Sequence, residues 1–66
     1  MNLRVYRKQA RLSQKELGEM IGLSGAAVCH YEIGRSAPTP AGVQAIIAAL
    51  KTQKVKVSFN DLFPPT

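Results

Sequence analysis

The chain has 66 residues and a formal net charge of +5, from nine Lys and Arg against four Asp and Glu, with one histidine, one cysteine and no tryptophan. That length leaves room for one small hydrophobic core but not for a catalytic domain with a substrate cleft, and a lone cysteine excludes an internal disulfide or a paired-cysteine metal site. The longest apolar run, Ala45 to Leu50, is far below the roughly 18–20 residues a membrane span needs.

Asn2 is placed to cap a first helix that the pattern carries to about Arg11. Leu3, Tyr6, Arg7 and Ala10 share one face of it, while Arg4, Lys8 and Arg11 line another. Ser13 and Glu16 have the capping-box spacing of a second helix, in which Leu17, Met20 and Ile21 form the buried stripe. Gly22 stops that helix, because glycine enters a left-handed C-terminal conformation without steric cost. Ser24 caps a third helix that runs to a second stop at Gly34. At about 100° per residue, Ala27, Val28, Tyr31 and Glu32 fall on one arc and Gly25, Ala26, Cys29, His30 and Ile33 on the other. The first arc has the bulk of a core face. The second is small at its start and polar further on, which suits close approach to a large, grooved partner. Two short helices joined by so few residues form the helix-turn-helix unit, whose second helix enters the DNA major groove.

Arg35 to Pro40 reads as a loop, with Thr39 capping a fourth helix and Pro40 at its first position, where the missing N–H is harmless. Val43, Ile46, Ile47 and Leu50 then recur at core-facing spacing. Beyond Leu50 the signals divide. Val55, Val57 and Phe59 alternate with Lys54, Lys56 and Ser58, the period of a strand, yet Ser58 and Asp61 have cap spacing. The preferred reading is an extended piece through Val57 and then a helical turn to Phe63, ended by Pro64 and Pro65. The alternative is an edge strand that pairs with its twin in a dimer. On either reading Phe59, Leu62 and Phe63 are too apolar for a free tail and are expected to pack on the core or a partner.

Leu12 to Arg35, LSQKELGEMIGLSGAAVCHYEIGR, followed by Pro38, IIAAL and a terminal NDLF, resembles the helix-turn-helix family of lambda-type phage repressors and Cro proteins, also called the Xre family. The resemblance implies an all-α fold, a four- to five-helix lambda-repressor-like domain over residues 1–66 with its motif at 14–33, and leaves a short extended segment near the C-terminus open. It implies a sequence-specific, double-stranded DNA-binding regulator of the Cro or repressor type, from a phage or prophage. A homodimer in the cytoplasm is expected. Carried over position by position, it makes Gln14, Ser24, Gly25, Ala26 and His30 the candidates for base contact. Family members often have polar residues where Gly25 and Ala26 stand here, so shape readout is expected to carry more weight.

The basic balance favours a polyanionic partner, and beside the motif it favours nucleic acid. Arg4, Lys8, Arg11 and Arg35 are then the candidates for phosphate contact, which positions a protein without reading sequence. Arg7 and Glu32 lie on core-facing stripes and are expected to form a partly buried structural ion pair, a placement the family pattern shares. His30 has only Cys29 beside it, so no metal site is expected, nor a cofactor, a small-molecule substrate or a membrane partner. The chain has no paired carboxylates, no nucleophile–His–Asp set and no glycine-rich phosphate loop, so it is not expected to be an enzyme. The competing function is an antitoxin-like or adaptor module that binds a protein through its apolar tail.

Overall fold

Side-chain caps fix where most of the helices begin. In a computed structural model that describes residues 1–64, five helices follow one another: α1 (Leu3–Gln9), α2 (Gln14–Met20), α3 (Gly25–Glu32), α4 (Pro40–Thr52) and α5 (Phe59–Leu62). The Ser13 hydroxyl accepts from the Glu16 N–H and the Glu16 carboxylate accepts from the Ser13 N–H, both at 2.9 Å, closing a reciprocal capping box. Ser24 and Thr39 each accept from the backbone N–H three residues on, at 3.2 and 3.1 Å. The fold is all-α, and no strand occurs among the described residues.

The helices end as distinctly as they begin. After α1, α2, α3 and α4 stands a residue with positive φ: Arg11 at 59°, Gly22 at 76°, Gly34 at 79° and Lys54 at 63°. At each end the following N–H reaches back five residues, as from Leu12 to the Arg7 carbonyl at 3.2 Å and from Val55 to the Leu50 carbonyl at 3.1 Å. The positive-φ residue itself donates three residues back, as from Arg11 to the Lys8 carbonyl at 3.0 Å, and the two bonds together satisfy carbonyls that would otherwise be orphaned.

Leu3, Leu17, Val28, Ile46, Leu50 and Leu62 are fully buried, so every helix sends at least one large side chain into a common core. The closest approach is between α2 and α3. A Cβ on Gly18 would lie 2.6 Å from the Ser24 carbonyl carbon and oxygen, which only glycine tolerates. The chain ends are tied together, since the Asn2 N–H donates to the Leu62 carbonyl at 2.8 Å.

Several expectations are corrected. α1 stops at Gln9, and Arg11 sits in the left-handed turn beyond it; Asn2 stands at the cap position but its side chain makes no cap bond. Met20 leaves the buried stripe and is 43% exposed. It borders a shallow groove floored by Ala45 and Ala48 of α4, whose side chains are too short to cover it. Residues 55–57 are irregular and lead into α5, as the preferred reading has it, and no strand forms there within the single chain. Leu62 packs on the core and Phe63 is half-buried, whereas Phe59 stays 54% exposed with its ring stacked on Phe63, centroids 4.8 Å apart. Pro64 follows α5, and Pro65, the second proline of the expected stop, lies outside the described residues.

Candidate nucleic-acid interface

The capped second helix holds α3 with one edge outward. Val28 is fully buried, while Ala26 is exposed, Cys29 and His30 are partly exposed, and Ile33, just past the helix end, is 67% exposed. That edge is apolar apart from His30. Gly25 differs from its place on the wheel. A Cβ there would lie 3.0 Å from the Lys15 Cα and N, so the first residue of α3 faces back onto α2 where the two backbones cross. The Ser24 hydroxyl is occupied as a helix cap, and the His30 carbonyl accepts from the Arg35 and Ser36 N–H groups at 2.9 and 3.3 Å.

Beside this edge lies a cleft of about 510 Å³, walled by Arg4 of α1, Gln14 of α2 and Cys29, Glu32 and Ile33 at the end of α3. A polar cluster forms its floor. Arg7 Nε donates to Glu32 Oε2 at 2.5 Å and Arg7 Nη2 to Glu32 Oε1 at 3.2 Å, while Arg7 Nη1 donates to the Leu12 carbonyl at 2.8 Å. The side chains are 10% and 3% exposed. A buried, two-point Arg–carboxylate contact of this kind is costly to break from one side, because it strands the other charge. Gln14 Nε2 also donates to Glu32 Oε1, at 3.1 Å. Burial by itself would push the Glu32 carboxyl up, but the hydrogen bonds from Arg7 and Gln14, with the charges of Arg7 and Arg4, hold it below the ordinary carboxylate value.

The cleft thus brings Arg4 and Gln14, expected to touch DNA, together with the end of α3. Lys8 and Arg11 lie exposed further along the first segment, and Arg35 lies exposed just past the Gly34 stop; these three are not among the cleft walls. Two features went unread in the sequence. One is the bond from Gln14 to Glu32, which spans 18 positions and joins two helices. The other is the prominence of Ile33, which the wheel puts on the outer arc without showing that nothing covers it.

The matching family model is described as a helix-turn-helix domain, and it covers residues 1–58. The chain belongs to that family. It is a family found in regulators of the Xre and lambda-repressor type, and membership makes this helix-turn-helix domain a DNA-binding one of the regulator kind. No curated protein and no solved structure matches the chain. Among the described residues of the helix-turn-helix domain no helix is long and apolar enough to cross a membrane.

Proposed function

We propose that residues 1–66 act as one helix-turn-helix domain that binds a specific duplex operator as a homodimer, in a Cro-like or repressor-like phage or prophage regulator working in the cytoplasm. The observation that carries this reading is the uncovered edge of α3 from Ala26 to Ile33, propped outward by α2 and bordered by Arg4 and Gln14. Ser24, Gly25, Ala26 and His30 approach the bases, Gly25 through its backbone alone, and Gln14 meets a base or phosphate at the groove edge. The Ala26 methyl is suited to a thymine methyl and His30 to a hydrogen-bonding base edge. Arg4, Lys8, Arg11 and Arg35 take phosphates.

Size supports the second copy in this reading, since one molecule presents one recognition helix. The molecule is 30 Å in its longest dimension, whereas two recognition helices on successive major grooves stand about 34 Å apart. A groove between Pro38, Pro40, Val43, Phe59 and Phe63 is the apolar surface assigned to that copy. An antitoxin-like or adaptor role would use the same surface for an unlike partner.

Selection of bound sequences from a random duplex pool, followed by binding measured against salt, tests the reading. The expected result is a palindromic consensus with half-sites about one helical turn apart and an affinity that falls steeply with salt. Binding that is equal for every sequence, or absent, overturns it.

A further inference from the structure

Glu32 Oε1 is shared, accepting from Arg7 Nη2 on its buried side and from Gln14 Nε2 on its cleft side. We propose that Glu32 is a positioning residue for DNA binding: locked by Arg7, it fixes the Gln14 carboxamide so that the amide's remaining N–H and its oxygen are pre-set for a phosphate or base. The inference rests on the DNA-binding reading above and adds to it a residue that does not itself touch the duplex.

The chemistry is asymmetric in a useful way. A primary amide has two N–H donors and an acceptor oxygen, so one bond to Glu32 removes a single donor and leaves the rest. Without an anchor, the long Gln14 side chain samples many rotamers, and binding must first order it. Arg7, which locks that anchor, is itself held at three points, donating from Nε and Nη2 to Glu32 and from Nη1 to the Leu12 carbonyl. Arg7 also neutralises Glu32, so the carboxylate that orients Gln14 does not repel the phosphate that Gln14 would meet. Among the described residues, the bond to Glu32 is what holds the Gln14 carboxamide.

Glu32→Gln replaces the charged acceptor by a neutral amide oxygen that holds the Gln14 carboxamide more weakly, but it also frees the positive charge of Arg7, which strengthens binding to any duplex. A double-mutant cycle separates the two effects. Affinities for the selected duplex are measured for the native chain, Glu32→Gln, Gln14→Ala and the double variant. The freed Arg7 charge acts equally with or without Gln14, whereas loss of positioning acts only where Gln14 is present. The expected result is that Glu32→Gln weakens binding about 2- to 10-fold more in the native background than in the Gln14→Ala background, and that this excess does not change with salt. Equal effects in the two backgrounds overturn the inference while leaving the DNA-binding reading intact; a native chain that binds no duplex overturns both.

A second variant leaves the ion pair intact. Gln14→Asn keeps the amide but shortens its reach to Glu32, and it should bind like Gln14→Ala; native-strength binding overturns the proposal. In the free protein, NMR relaxation of the Gln14 side-chain NH₂ should show a restrained amide that becomes more mobile in Glu32→Gln. An amide equally mobile in both proteins overturns the proposal without reference to DNA.

Discussion

Glu32 carries a charge that burial opposes and its neighbours restore, so its protonation is a cost the folded state bears. Its carboxyl is held below the ordinary value of 4.5, and a depressed folded value means stability that is fully present above the unfolded value and is lost as pH falls through the folded one. The melting temperature should therefore drop on acidification below about pH 4.5, and Glu32→Gln should give a shallower drop from a lower starting point. Glu16, lowered by hydrogen bonds from the Ser13 backbone and then its hydroxyl, keeps its own small share in both proteins. A melt whose acid slope is the same with and without Glu32 would place the pair's contribution elsewhere. The pairing itself was legible in the sequence, because Arg7 and Glu32 sit on inward stripes of their helices. The third member was not, since a wheel gives the direction of the Gln14 Cα and nothing about how far its side chain reaches across to α3.

The helices were legible in proportion to how local their signals are. Ser13 with Glu16, Ser24, and Thr39 with Pro40 mark starts through bonds spanning three residues, and Gly22 and Gly34 mark stops through their φ values. Arg11 and Lys54 end α1 and α4 in the same left-handed geometry, and no residue type announces it, so the sequence pattern of the first helix runs on past its end at Gln9. Those two positions carry steric strain that glycine would relieve. The left-handed conformation costs an L-residue about 1–2 kcal/mol, partly offset by the flexibility glycine adds to the unfolded chain. Exposed Lys54 is the cleaner site, and Lys54→Gly should raise the melting temperature by about 2–8 °C. Gly18→Ala should do the opposite. Its added methyl meets backbone at 2.6 Å, and overpacking that cannot be relieved by a side-chain rotation costs about 1–3 kcal/mol. Melts followed by circular dichroism read both, and a stable Gly18→Ala protein would mean that α2 and α3 separate more easily than their contact implies.

At the scale of the whole molecule, a core of few large side chains goes with one aromatic ring left exposed, that of Phe59. Phe59 is 54% exposed and stacked on Phe63 beside Pro38, Pro40 and Val43, so it adds little to the fold of one copy and is available to another. On the homodimer proposed above, Phe59→Ser should leave the melting temperature within a few degrees of native while weakening self-association in sedimentation equilibrium. It should also reduce binding to a two-half-site duplex more than to a single half-site. A native chain that stays monomeric on the two-half-site duplex would turn attention to an unlike protein partner. The apolar character of this tail was legible from composition. Which of its residues turns inward was not, because a single helical turn gives too few positions for a face to emerge.

The bond between the Asn2 N–H and the Leu62 carbonyl, 2.8 Å long, makes the path of the backbone nearly a closed loop. A ring has no privileged opening. The exposed Arg35–Ala37 stretch between α3 and α4 could serve as the break while a short peptide bridges the present ends. Such a rearranged chain, opened after Ser36 so that the bonds to the His30 carbonyl survive, is expected to keep the caps, the left-handed stops and the cleft beside α3; a permuted protein that melts with native cooperativity would show that the way the five helices meet, and not the order in which a ribosome delivers them, specifies the fold.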